Sequence, residues 1–334
     1  MRPASLCPFL VALTIACGSS STAPAVPATP GPGGPGTPQQ GCARTSVGFL
    51  PLTEMGSATY EGARGGLYPD GSNAMPGAHL AEGLERARAI GPLDGQGRPS
   101  DTGRYVFMSI GMSNTTQEFS TFKPLADADA GRDPRLVIVD TAQGGVTAAD
   151  WSNPNCSCWT QAVSRLQQAG VTAAQVTTAW IKLADRQPSG DWPVHAQMLR
   201  ENIVRVLQQL PAKFPNLRIA YLTSRIYAGY ATSTLNPEPY AYQSGFSVRG
   251  TIEQQLSGGL PYDGGSPAAP WLAWGPYLWA DGLRPRSDGL TWACADFQSD
   301  GTHPSTSGRQ KVAARLLDFV RTDPTAREWY LAQP

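Results

Sequence analysis

Apolar runs alternate along this chain with stretches in which apolar residues recur at helical spacing. Residues 105–110, 136–140, 176–183, 217–223 and 271–279 read as strands. Between them, 159–169 and 194–210 read as helices. In the second, Met198, Ile203, Val204, Val206, Leu207 and Leu210 make one face suited to packing on a sheet. Further helix-like stretches lie around 80–90 and over 305–319. The alternation begins near residue 104 and predicts a doubly wound α/β domain. In such a sheet, ligands bind beyond the C-terminal ends of the strands. Ser113, Gly144-Gly145, Lys182 and Ser224-Arg225 all fall at or just past those ends.

Two segments exceed what that domain needs. Residues 42–103 precede the first strand as an N-terminal extension, with a loop-like run at 65–73. The domain itself takes 104–334 and carries an insertion at 225–292. That insertion holds Tyr227, Tyr230, Tyr240, Tyr242, Phe246, Trp271, Trp274, Tyr277, Trp279 and Trp292. Aromatics are mostly core, but Tyr and Trp in Pro/Gly-rich loops also stack on sugar faces.

The N-terminus changes the picture of where the protein works. Residues 1–17 read as an export signal: Arg2, a short apolar core, then Ala16 before Cys17. Leu13-Thr14-Ile15-Ala16-Cys17 resembles a lipoprotein cleavage site, which would make Cys17 a lipid anchor to a membrane; the other reading is ordinary secretion. Residues 18–41 contain twelve Pro or Gly in 24 and predict an extended, disordered tether. Lys plus Arg and Asp plus Glu number 26 each, so formal charge is zero. Without a basic cluster, nucleic acid is not an expected partner. Past the signal, Cys42, Cys156, Cys158 and Cys294 suggest up to two disulfides in an oxidising compartment. Cys156 and Cys158 are awkwardly spaced for a mutual bridge, so each is expected to pair elsewhere. A bridge from Cys294 would brace the nearby Asp300 loop. With only three His and no Cys-x-x-Cys pair, zinc is disfavoured and no metal or other cofactor is expected.

The chemistry lies in Gly111-Met112-Ser113-Asn114, after the first strand, and Asp300-Gly301-Thr302-His303, near the C-terminus. A Ser hydroxyl is a weak nucleophile at neutral pH. It needs an imidazole to take its proton and a carboxylate to hold that imidazole. The order Ser113, Asp300, His303 supplies all three. Across roughly 104–322 the chain resembles the SGNH (GDSL-like) hydrolases, a superfamily of esterases and acetylesterases. Asp300-Gly301-Thr302-His303 matches that family's last block fully. Gly111-Met112-Ser113-Asn114 matches its first block with Met112 in place of Asp. Gly145 is the best match to the Gly of the second block, and the Asn of the third block has no counterpart in 176–183.

The resemblance implies a three-layer α/β/α sandwich around a parallel sheet of about five strands, flavodoxin-like. It also implies a serine esterase with Ser113 as nucleophile, His303 as general base and Asp300 as its orienting carboxylate. The N–H groups of Ser113 and Gly145 would form the oxyanion hole. Lys182 is a candidate for the missing Asn's role, with Asn114, Gln143 and Asn73 as others. Asn114, Arg225, Tyr227 and Trp274 are candidate substrate contacts. Arg225 would pair a substrate carboxylate or a nearby acidic residue. His79 is expected to hydrogen-bond near a helix start and His195 to lie on the surface. The expected activity is removal of acyl groups, acetyl foremost, from an exported small-molecule or carbohydrate ester. The competing expectation is a glycan-binding protein without catalysis on the same fold.

Overall fold

A computed structural model describes residues 41–332. The export signal, Cys17 and all of the Pro/Gly-rich stretch before residue 41 lie outside the described residues. The extension opens with β1 (Thr59–Tyr60) and β2 (Ala63–Arg64), an antiparallel pair, followed by α1 (Gly77–Arg88). α1 lies close against the sheet edge. A Cβ at Gly83 would run into the Trp271 ring, and His79 stacks on that ring at 4.7 Å. His79 Nε2 lies 2.8 Å from the Leu272 carbonyl oxygen.

The main domain then runs β3 (Tyr105–Gly111), α2 (Ser113–Asp127), β4 (Leu136–Val139), α3 (Ala148–Ser152), α4 (Ser157–Gln168) and β5 (Val176–Lys182). It continues α5 (Val194–Lys213), β6 (Ile219–Leu222), α6 (Tyr240–Leu256), β7 (Trp271–Trp274), α7 (Thr306–Thr322) and α8 (Pro324–Tyr330). The five longer-range strands form one parallel sheet in the order β4-β3-β5-β6-β7. Counted in chain order that is 2-1-3-4-5, the flavodoxin-like doubly wound arrangement. Helices pack in two groups, α2 with α7 and α8, and α3 through α6. Right-handed crossovers put those groups on opposite faces, so the expected three-layer α/β/α sandwich is what forms.

The strands of this sheet are buried on both sides apart from the half-buried Val137 of β4, as a sheet sandwiched by helices requires. β7 stops at Trp274 rather than near 279 because Gly275-Pro276 follows, and a proline has no N–H for the ladder. Met198 points to solvent at 53% exposure, against expectation. Leu199 takes the inward position instead and sets the buried stripe Leu199, Ile203, Val206, Leu207 and Leu210.

Two disulfides form, with one pairing unlike the expectation. Cys42 joins Cys294, tying the start of the extension to the turn ahead of the Asp300 loop. Cys156 pairs with Cys158, not elsewhere. Cys156 is the N-cap of α4 and lies outside the helix, while Cys158 lies inside it. The change of backbone direction brings their Cα atoms to 5.1 Å, within bridging range. The two bridges should differ in weight. Cys42–Cys294 closes a loop spanning 252 residues in sequence, against 2 for the other. Replacing Cys42 and Cys294 by Ala is expected to cost about 2–4 kcal/mol, read as a lower urea midpoint. The same change at Cys156 and Cys158 should cost far less. Equal shifts would contradict the loop-closure account.

Candidate active site

β3 delivers Ser113. It ends at Gly111, where a side chain would collide with Thr115 Oγ1 and the Lys182 carbonyl, so only glycine lets β5 and α2 approach this closely. Met112 is the N-cap and Ser113 the first residue of α2. The Ser113 N–H is therefore one of the helix-start donors that has no acceptor within the helix. Met112 is buried. Asp140, just past β4, holds this end of the sheet to α2. It accepts hydrogen bonds from Ser109 Oγ at 2.6 Å, from Ser120 Oγ at 2.8 Å and from the Thr116 hydroxyl.

The second half of the site is a tight loop between Phe297 and Pro304, which bridge to each other. Gly301 sits at φ +65°, and any Cβ there would strike the Tyr230 carbonyl. Asp300 Oδ1 accepts the N–H groups of Thr302 and His303, each at 2.9 Å, while Oδ2 lies 2.5 Å from His303 Nδ1. His303 Nε2 lies 2.7 Å from Ser113 Oγ. Burial pushes the Asp300 carboxyl up, but the His303 ring and the two amides outweigh it and hold it below its ordinary value. Asn114 does not face a substrate. Its side chain is buried and donates to the Thr302 carbonyl at 3.0 Å, fastening α2 to the loop.

Gly145 occupies a turn after β4 at φ +80°. Gln143 N–H donates to the Gly111 carbonyl at 2.9 Å, which sets the turn beside the Ser113 elbow. A Cβ at Gly144 would lie 4.0 Å from that of Ser113. Arg186 donates to the Gly145 carbonyl at 2.6 Å. Among the described residues, no backbone acceptor takes the N–H of Gly144 or Gly145.

Several expected contacts lie elsewhere. Lys182 is buried and its ammonium meets both oxygens of Glu118, at 2.6 and 2.5 Å, so it is committed to that carboxylate and not to an oxyanion. Asn73 donates to the Thr53 carbonyl, and the Gln143 amide donates to the Thr141 and Cys158 carbonyls. Tyr227 is fully buried with its hydroxyl on the Arg44 carbonyl, and Trp274 is buried with its indole N–H on the Leu67 carbonyl. Tyr230, Tyr240 and Tyr277 are buried too. The insertion packs its aromatics against the extension and the core instead of walling a cleft. Arg225 is 4% exposed, in the field of Glu118, Glu238 and Asp300, and its Nε has no partner among the described residues.

Residues that no motif marked stand near the site instead. Asn236, in the connection after β6, adopts φ +49° and donates through Nδ2 to the Asp185 carbonyl at 3.2 Å. Its neighbour Leu235 accepts from Thr302 Oγ1 at 3.1 Å, and Thr232 N–H donates to the Asp300 carbonyl at 3.0 Å. His195, expected on the surface, is buried at the start of α5 against the Tyr240 ring, with Nε2 3.6 Å from Asp185 Oδ2.

No protein-family profile matches the chain. No curated protein matches it either. Among solved structures it is similar to a gut microbial diltiazem-metabolizing enzyme, at 14% identity and TM-score 0.37, over 67% of this chain and 48% of that one. The chain thus spans about half the length of that enzyme. It is similar to a carbohydrate esterase whose active site displays divergent catalytic and non-catalytic binding functions, at 14% identity and TM-score 0.38, over 68% of each chain. It is also similar to a GDSL-like lipase from Bacteroides thetaiotaomicron, at 12% identity and TM-score 0.37, over 72% of this chain and 95% of that one.

Proposed function

We propose that the protein is a serine ester hydrolase working through Ser113, His303 and Asp300. The observation that carries this reading is the unbroken relay of Ser113 Oγ to His303 Nε2 at 2.7 Å and His303 Nδ1 to Asp300 Oδ2 at 2.5 Å. His303 Nε2 takes the hydroxyl proton as Ser113 Oγ attacks the ester carbonyl carbon. Asp300 keeps the proton on Nδ1 and stabilises the imidazolium. The carbonyl oxygen gains negative charge and is met by the N–H groups of Ser113 and Gly145. When the tetrahedral intermediate collapses, His303 gives its proton to the departing alcohol and the acyl group stays on Ser113. Water then attacks the acyl carbon, with His303 as base again, and the carboxylic acid leaves.

Tyr227, Tyr230, Tyr240, Trp274 and Tyr277 are buried, which removes them as stacking platforms for a sugar; the alternative of a glycan-binding protein without catalysis rests on the missing third-block Asn. A short acyl group such as acetyl remains the proposed cargo. The test is hydrolysis of p-nitrophenyl acetate that depends on Ser113; a protein inert toward small esters would sink the reading. Anchoring through Cys17 belongs to the same proposal. Cys17→Ser in the native host is expected to move the protein from the membrane to the soluble fraction or leave it unprocessed. Wild-type protein found wholly soluble, with a mature N-terminus past residue 17, would replace anchoring by secretion.

A further inference from the structure

Contacts around the triad close into a ring. From Ser113 it passes to Gly144, packed against it, and on to Gly145, whose carbonyl accepts from Arg186. Asp185 precedes Arg186 and accepts from Asn236. Leu235, next to Asn236, accepts from Thr302, and His303 beside Thr302 returns to Ser113. The ring runs through the Gly144-Gly145 turn and the Asp300 loop, which flank Ser113. Asp185, Asn236 and, behind Asp185, His195 form the arc farthest from Ser113 along it.

On that arc three buried polar atoms have no partner among the described residues: His195 Nδ1, His195 Nε2 and Asn236 Oδ1. Both side chains are 2% exposed. At 3.6 Å, the approach of His195 Nε2 to Asp185 is too long for a hydrogen bond. A buried donor or acceptor left unsatisfied costs about 1–3 kcal/mol, so three on His195 and Asn236, which both contact Asp185, favour an incoming polar group. The Asp185 side chain, 20% exposed, gives the arc its opening.

We propose that this arc is a subsite for a hydroxyl group of the ester substrate, an inference that rests on the hydrolase reading above. A neutral imidazole offers one donor and one acceptor, and Asn236 Oδ1 only accepts. A hydroxyl can accept from the imidazole N–H and donate to Asn236 Oδ1 at once. A carboxylate brings only acceptors toward Asn236 Oδ1 and Asp185. An ammonium would answer the acceptors but leave the imidazole N–H unmet, whereas a hydroxyl meets a donor and an acceptor at once. The substrate class is therefore a hydroxylated ester, with the hydroxyl in either the alcohol or the acyl portion.

Two matched pairs of esters test this: 2,3-dihydroxypropyl acetate against propyl acetate, and ethyl 3-hydroxybutyrate against ethyl butyrate. Wild-type kcat/KM is expected to favour the hydroxylated member of at least one pair by about tenfold or more, since a site built to bond a hydroxyl rejects the analogue lacking it. His195→Phe keeps the ring packing on Tyr240, and Asn236→Gly keeps the left-handed backbone without strain. In either folded variant the preference should fall toward one. A wild type that does not discriminate, or variants that keep the preference, would mean that the arc holds ordered water only, and the inference is overturned. Binding of the same four esters to Ser113→Ala protein, read by saturation-transfer NMR, separates the two claims. A hydroxyl preference in binding with no hydrolysis by wild type would sink the hydrolase reading and keep the subsite. Ser113-dependent hydrolysis with no preference in binding or turnover would do the reverse.

Discussion

Ser113→Ala is expected to lower kcat for p-nitrophenyl acetate by about 10⁴–10⁶, with KM little changed. The substitution removes the attacking oxygen but leaves the elbow intact, because Gly111 and Met112 set the backbone and Asn114 still ties α2 to the Thr302 carbonyl. What survives is the contribution of binding and of the oxyanion donors. His303→Ala should fall by a similar factor, and the double variant scarcely further, because the two act as one unit. Asp300→Asn should cost about 10⁴, since an amide in that position stabilises the wrong imidazole tautomer. A Ser113→Ala enzyme retaining a tenth of wild-type activity, or additive losses in the double variant, would falsify the triad.

The convergence of Ser113, His303 and Asp300 was legible in the sequence because its parts are local. Asp300 and His303 stand three apart in one tight loop, and Ser113 follows an apolar run short enough to read as a buried strand. The sheet was legible for the same reason, and the strand starts at Tyr105, Leu136, Val176 and Trp271 fall where the pattern put them. What was not legible depends on tertiary surroundings. α6 has Tyr240, Ala241, Tyr242, Gln243, Ser244, Gly245, Phe246 and Ser247 all buried, so no polar face interrupts it and the 3.6-residue period vanishes. Its aromatics therefore looked like loop platforms when they are core. His195 looked polar and exposed from its neighbours in sequence, yet Tyr240, 45 positions later, covers it. Lys182 at a strand end pointed toward the site, but its partner Glu118 is one turn inside α2, a pairing that no local pattern announces. Asn236 carries no motif. Its place follows from a left-handed backbone and one bond to Asp185.

Lys182→Met is expected to destabilise the protein by about 3–5 kcal/mol, because it strands the Glu118 carboxylate in the interior. Both groups are wholly buried. Burial drives the Glu118 carboxyl up and pushes the Lys182 ammonium down to about 8, in each case against the attraction of the partner. Desolvation thus opposes the pair's mutual attraction, and a buried ion pair of this kind is expected to add little net stability. Breaking it should nonetheless be costly, since the remaining charge must be neutralised or wetted. Replacing both residues, Lys182→Met with Glu118→Leu, is then expected to recover most of the loss or exceed wild-type stability. Urea unfolding of the two single variants and the double variant measures this as a coupling energy. Glu118→Leu alone should also destabilise, leaving Lys182 beside the buried Arg225, which adds like-charge repulsion. A double variant as unstable as the sum of the singles would mean no coupling between Lys182 and Glu118, contrary to the burial argument.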